Sequence, residues 1–371
     1  MTLLKRLEFR VKALAFGLFR VLLKKGRPER IPLDASRMTR ILFLRPDRIG
    51  DTVTSLPLFD ALKAAYPNVR LAVFASPKNI SLIDRDPRFE RIYCYRRNIL
   101  HDFRQVLQIR REKFDCVVDL LADDSVTCLF LSQSCVADAP RIGVRKRRFA
   151  QYYDYTFHPG EDSELHMIDI NLQMLSAFGI KPDSSGYAAP FVPSDDAVRA
   201  DRFFAHLRQQ APNVPVMIGV NLSQRGPNRF WGLEKFEHLI RRIRQDYPQC
   251  RIILITAPPD RQRGDELVER LGGVVAQVEP NLGLTGISAV LARLDLLISP
   301  DTSLVHIARS FRVPVVGFYP SFKGIYRQWC PYDQPEGLVL SHGEDNIFNI
   351  TADQAYEAFS RLVRKHQLVS L

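Results

Sequence analysis

Asp301-Thr302-Ser303-Leu304-Val305-His306 brings a carboxylate, two hydroxyls and an imidazole into one short stretch. The apolar run Leu294–Ser299 before it reads as a buried strand. Ile307–Arg312 after it continues a helix, and Pro314–Tyr319 reads as the next strand. A polar turn at a strand's carboxyl end that opens into a helix is where α/β proteins hold anions. The first helical N–H groups there lack intrahelical acceptors, and the macrodipole adds positive potential. Thr302 and Ser303 add hydroxyl donors beside those amides, although the same residues also read as an ordinary N-cap. Asp260 closes the turn Thr256-Ala-Pro-Pro-Asp after another apolar run. Acids at that place accept ribose hydroxyls in doubly wound folds, and a turn or cap role accounts for the residue equally well. Asp51, just before the helix predicted to begin at Thr52, reads by itself as that helix's cap.

These residues need elements to hold them, and the pattern supplies them. Strands are predicted at Arg40–Arg45, Val69–Ala75, Ile92–Tyr95 and Cys116–Leu120, and helices at 52–66, 103–113 and 163–179, the last ended by Gly179. Lys181-Pro-Asp-Ser-Ser-Gly186, followed by Pro190 and Pro193, reads as a linker. The alternation then restarts, with strands at Val214–Asn221, Arg251–Thr256, Val274–Val275, Leu296–Ser299 and Val315–Phe318. Helices are predicted near 233–245, 261–271, 286–293 and 302–311. Alternation of this kind means right-handed βαβ units and parallel sheets. Two such halves imply an α/β fold of two Rossmann-like domains facing across a cleft, with boundaries at 31–188 and 189–371. The last helix, Thr351 to Lys365, is expected to pack back across the hinge.

Bulk composition narrows the class. The 371 residues are 46% hydrophobic and 25% charged, which is globular. The six cysteines are scattered with no C-x-x-C pair, which argues for a reducing compartment and against a zinc site or disulfide framework. No apolar run reaches the length of a transmembrane helix. The net charge of +11 is concentrated: residues 1–30 hold nine Lys/Arg against two acids, +7, leaving +4 for the rest. A uniformly basic chain would suggest nucleic acid; this one suggests a basic N-terminal device and no nucleic-acid partner. Leu4, Leu7, Val11, Leu14, Leu18, Val21 and Leu22 share one helical face, with most of the cations opposite. Arg10, Lys12 and Arg20 interrupt any secretory-signal core. Residues 1–27 are therefore expected to form a basic amphipathic helix lying on an anionic membrane surface. A helix packed on the domain, or a calmodulin-type or nucleic-acid-binding helix, would share the pattern.

Arg45-Pro-Asp-Arg-Ile-Gly-Asp51, Asn228-Arg-Phe-Trp231, Leu284-Thr-Gly286 and Asp301-Thr-Ser-x-x-His306 together resemble, in order, the motifs of glycosyltransferase family 9, the heptosyltransferases. The resemblance covers about residues 40–345. It implies a two-domain GT-B fold and metal-independent, inverting transfer of a sugar from a nucleotide sugar. ADP-heptose is the first expectation for that co-substrate, and no separate cofactor is implied. The acceptor would be the lipopolysaccharide core or a related anionic glycolipid, on the cytoplasmic face of the cell membrane, with the enzyme attached peripherally. By the same resemblance Asp51 is the general base. Arg229, Asp260, Asp301, Thr302, Ser303 and His306 fall on the donor side. Ser303 stands where the family usually has Gly, and Arg229 where it often has Lys. Arg keeps the cation and gains a bidentate phosphate grip. Arg48 and the basic run of Arg141, Arg145, Lys146, Arg147 and Arg148 would face a phosphorylated or carboxylated acceptor; a solvated loop reads the same. Asp123-Asp124 lacks the spacing of a metal-binding Asp-x-Asp, and His158 and His166 have no ligand partners at convincing spacing. A nucleotide-sugar epimerase of the same architecture, or a non-catalytic nucleotide- or glycolipid-binding protein, is the alternative. The basic N-terminal segment speaks against the first, and Asp51, Arg229 and Asp301 together against the second.

Overall fold

The computed structural model describes residues 23–369, apart from 35–37, 122–123, 137, 161–162, 183–184, 225, 227–228, 273–274 and 344. Most of the expected N-terminal helix thus lies outside the described residues. The strands are β1 Arg40–Leu44, β2 Arg70–Ala75, β3 Phe89–Cys94, β4 Cys116–Asp119, β5 Arg141–Val144, β6 Tyr155–Phe157, β7 Val216–Asn221, β8 Cys250–Ile255, β9 Val275–Gln277, β10 Leu296–Pro300, β11 Val315–Pro320 and β12 Leu338–Ser341. In the first half the helices are α1 Ile49–Val53, α2 Leu56–Ala65, α3 Ile80–Ile83, α4 Ile99–Glu112, α5 Val126–Cys135 and α6 Met167–Leu172. They continue with α7 Ser194–Gln210, α8 Leu233–Asp246, α9 Arg261–Leu271, α10 Leu284–Leu291, α11 Ser303–Ser310 and α12 Ala352–Lys365.

The strands form two six-stranded sheets, ordered β3-β2-β1-β4-β5-β6 and β12-β11-β10-β7-β8-β9, with every pairing parallel. Relative to its own first strand, each sheet has the same doubly wound order. In such sheets the ligand crevice opens at the carboxyl ends where the order reverses. That point is β1/β4 in the first sheet and β7/β10 in the second, so the topology selects the turns after Leu44, Asn221 and Pro300. Helices cover both faces of a parallel sheet, which is why β1, β7 and β10 read as unbroken apolar runs and are buried almost throughout. One apolar cluster joins the halves, running from Phe43 and Phe59 through Leu175 and Phe178 to Phe204, Leu291 and Ile307.

Several expectations shift. The single helix predicted over 52–66 is two, because Pro57 has no N–H to bond back and its ring crowds the preceding turn. The stretch 163–179 tightens from α6 into a 3-10 segment, Gln173–Phe178, before Gly179 ends it at φ 69. α7 went unpredicted, since only Ala200, Phe204 and Leu207 of its residues are buried and its apolar stripe is thin. The short strands β5, β6 and β12 were also missed. α12 does not cross the hinge. Its buried face (Ala355, Ala358, Phe359, Leu362 and Val363) joins the core of the second sheet with Phe236, Val316 and Val339. Thr351 and Gln354 fix its start with a reciprocal capping box. Among the described residues no helix is long and apolar enough to cross a membrane.

Candidate active site

The turn after β1 is built on a buried cation. Arg45 has no solvent exposure, and its Nη2 lies 3.1 Å from both Asp47 Oδ2 and Asp51 Oδ1. Its Nη1 donates to the Leu120 carbonyl at the end of β4, so the guanidinium sits in the switch point of the first sheet. Asn79 holds the turn from beside it: Nδ2 donates to Arg45 O at 2.7 Å and to Thr52 Oγ1 at 2.8 Å. Asn171 Nδ2 donates to Thr54 O at 3.0 Å. α1 is thereby fixed at both ends, and Asp51 lies in its first turn with a side chain 14% exposed. Burial pushes the Asp47 carboxyl up to about 7, with Arg45 opposing the rise and Asp51 adding to it. One buried guanidinium thus serves two carboxylates, of which Asp47 gives up its proton reluctantly. Sequence reading quoted Arg45 and Asp47 within a motif but assigned neither a role.

The turn after β10 is organised by an amide and hydroxyls instead, with Asp301 directed to Arg229. Asn221, buried at the end of β7, donates from Nδ2 to Ser299 Oγ at 2.9 Å and to Thr302 Oγ1 at 3.1 Å. Thr302 occupies the N-cap of α11 in extended conformation, yet its hydroxyl turns to Asn221 and makes no cap bond. The leading amides of α11 are left to other acceptors, the arrangement that suits an anion. Asn221 is a participant that sequence reading missed, because its signal was no more than a polar residue closing an apolar strand.

The two turns meet. A Cβ on Gly50 would come within 3.1 Å of His306 Cδ2 and 3.9 Å of Ser303 Cα. The approach of α11 thus leaves little room for a side chain at 50, and Asp51 adjoins the residues expected to hold the donor. His306 is buried, its ring centroid 6.0 Å from that of His166 and 5.7 Å from Trp329. Burial lowers the His306 pKa to about 4; burial and then the neighbouring His306 lower that of His166 to about 3, so both rings are neutral. His166 spans the halves, with Nδ1 accepting from Ile168 N and Nε2 3.1 Å from Cys330 O.

Arg229 stands at the same mouth. Its Nη2 lies 3.0 Å from Asp345 Oδ1 and its Nη1 3.7 Å from Asp301 Oδ2. Asp260 is set apart from this group: its carboxylate accepts from Arg263 Nη1 at 2.6 Å, and that guanidinium lies 4.4 Å over the Phe230 ring. The basic run divides. Lys146 and Arg141 are buried and structural, Lys146 against Asp119 at 2.9 Å and Arg141 against the Tyr152, Lys24 and Lys25 carbonyls. Arg147 and Arg148 are exposed beyond the end of β5. Arg147 Nε donates to His158 Nε2 at 2.6 Å. Arg145 bridges to the other half, donating from Nη1 to Gln328 Oε1 at 2.8 Å. Arg48 is exposed, and its carbonyl accepts from Thr52 N and Oγ1. Among the described residues no His/Cys/Asp/Glu group could hold a metal ion.

The profile of glycosyltransferase family 9 (heptosyltransferase) matches residues 103–346. The chain is 19% identical over 339 residues to the lipopolysaccharide core heptosyltransferase OpsX of Haemophilus influenzae, covering 89% of this chain and 90% of that one. The crystal structure of the family 9 glycosyl transferase from Veillonella parvula superposes with a TM-score of 0.73 at 16% identity, over 88% of this chain and 97% of the other. The structure of Escherichia coli ADP-heptose lipopolysaccharide heptosyltransferase II gives 0.69 at 16% identity, over 89% and 100%. At such identities the structural likeness bears on the fold, which is GT-B.

Proposed function

Because this chain belongs to glycosyltransferase family 9 and is a glycosyltransferase, we propose that it moves heptose from ADP-heptose onto the lipopolysaccharide core or a related anionic glycolipid, with inversion and without a metal. The observation that carries the reading is the close approach of the Gly50 turn to Ser303 and His306, which supports a base and a leaving-group cradle in one crevice. In this mechanism Asp51 takes the proton of the acceptor hydroxyl as its oxygen bonds the anomeric carbon. The bond from that carbon to the diphosphate breaks on the opposite side, and the electron pair leaves with the nucleoside diphosphate. The α11 amides, the Thr302 and Ser303 hydroxyls and the Arg229 guanidinium stabilise that charge. Neutral His306 packs the floor of the cradle without adding a cation. Asp301 orients Arg229, and Asp260 takes the ribose hydroxyls after release from Arg263. Arg48, Arg145, Arg147 and Arg148 hold the anionic acceptor. Residues 1–27 keep the enzyme on the cytoplasmic membrane surface, and residues 31–188 and 189–371 divide acceptor from donor.

A thermal-shift series with ADP-, UDP- and GDP-sugars, followed by transfer assays with the stabilising donor, tests the assignment. ADP-heptose should give the largest shift and yield a heptosylated glycolipid. Stabilisation by a UDP- or GDP-sugar alone would replace the donor, and absence of transfer from any of them would refute the reaction.

A further inference from the structure

Helix α4 is amphipathic in an unusual sense: both of its faces carry apolar residues. Its inner side, with Val106 and Ile109, packs among Tyr93, Phe114 and Leu131. On the outer side Ile99 is 88% exposed, Leu100 73% and Phe103 59%, with Leu107 continuing the stripe one turn on. Ile99, Phe103 and Leu107 recur at i, i+4 and i+8, and so line up along the helix. A surface helix of a soluble domain normally turns polar residues outward, and a continuous apolar stripe marks a surface that something covers.

The charges around the stripe indicate what covers it. Arg96 and Arg97 lie just before the helix, and Arg104, Arg110 and Arg111 lie along it, all exposed. None of these five guanidinium groups forms an ion pair among the described residues. Asp102 is the one acid between residues 96 and 111, and it is buried, accepting from the Arg96 and Asn98 amides. A single-sign cationic border around an exposed aliphatic and aromatic stripe matches an anionic lipid surface: headgroups meet the arginines and the acyl boundary takes the stripe.

We propose that α4 docks the enzyme on an anionic phospholipid bilayer, as a second membrane contact separate from residues 1–27. The surface stands apart from the donor cradle. Its position still bears on it, since α4 leaves the carboxyl end of β3, two strands from β1 and so about 10 Å along the crest from the Asp51 turn. Resting on the transfer reading, this places the headgroup plane beside the base, so that a glycolipid acceptor is met in the membrane. Binding to lipid is measurable without turnover, so failure of one reading leaves the other standing.

The test uses the full chain carrying Phe103→Trp and, for comparison, Phe348→Trp at an exposed position of the other half. Each is mixed with vesicles of phosphatidylglycerol and phosphatidylethanolamine, with or without brominated acyl chains, and with phosphatidylcholine vesicles. The F103W protein should show blue-shifted emission and bromolipid quenching in the anionic vesicles alone, and the F348W protein neither. Leu100→Ser with Phe103→Ser should weaken partition into anionic vesicles about tenfold or more while leaving the donor thermal shift unchanged. Vesicle binding by the F103W protein without quenching would assign membrane attachment to residues 1–27 alone and overturn the proposal. So would no binding at all, or a dimer in solution that the double serine variant dissolves.

Discussion

The two sheets share one strand order and present the same switch point to the same crevice, yet furnish it with opposite chemistry. In the first half a buried guanidinium organises two carboxylates, Asp47 and Asp51. In the second an amide and two hydroxyls, Asn221, Ser299 and Thr302, satisfy one another and leave a helix N-terminus open. A fold supplies a place for a ligand; the groups at that place decide whether it handles a proton or an anion. A carboxylate without a cation would repel a diphosphate, and Asp301 at the second turn faces Arg229; neutral hydroxyls could not take a proton from an alcohol. The proposed division of labour rests on this difference in charge.

The largest effect expected from breaking this contrast is at Arg45. Arg45→Met leaves two carboxylates facing each other with no cation and strips the Leu120 carbonyl of its donor. Loss of one partner from a buried ion cluster costs about 3–5 kcal/mol, which denaturant unfolding would register as a fall in midpoint at constant slope. On the other side, Arg229→Ala should raise the donor dissociation constant about 10–100-fold, the scale of a charge-assisted contact, with little change in stability. Calorimetric titration with the nucleotide sugar measures it.

Two smaller changes sharpen the comparison. Asp47 binds its proton more tightly in the folded chain than in the unfolded one, so its contribution to stability declines as pH rises from about 4 through about 7. Asp47→Asn should flatten that decline, raising stability near pH 8 by on the order of 2 kcal/mol, as urea melts across pH would show. Gly50→Ala sets a helix-favouring residue against His306 at 3.1 Å. Gain in helix propensity and loss in packing, each about 1 kcal/mol, should nearly cancel in stability. Turnover should still fall a few-fold because the two turns are prised apart, and paired thermal melts and rate assays separate the two effects.

What the sequence disclosed depends on how far each signal reached. Buried parallel strands announce themselves as apolar runs, so β1, β7, β8 and β10 were placed to within a residue or two. β5 was hidden because its first residue, Arg141, is an arginine that folding buries against backbone carbonyls. The motif at 301–306 marked the turn after β10, but Asn221, about 80 residues away, joins it through β7–β10 pairing that local pattern cannot reveal. Gly50 entered the sequence reading only as a member of the Arg45–Asp51 motif. Its reason is the approach of α11, a tertiary fact. The five basic positions from Arg141 to Arg148 looked alike in sequence, and only burial separates Lys146 and Arg141 from exposed Arg147 and Arg148.

The division of labour is tested most directly by measuring donor dissociation constant and single-turnover rate side by side for Asp51→Asn and Thr302→Val. Asparagine keeps the size of the aspartate and removes its basicity. Turnover should fall about 10²–10⁴-fold while donor affinity stays at the wild-type value. Thr302→Val should do the reverse, weakening the donor about tenfold with a smaller effect on the rate of bound substrate. A D51N enzyme that transfers sugar at the wild-type rate, or one that loses donor affinity as the T302V enzyme does, would contradict the assignment of proton and anion to separate halves.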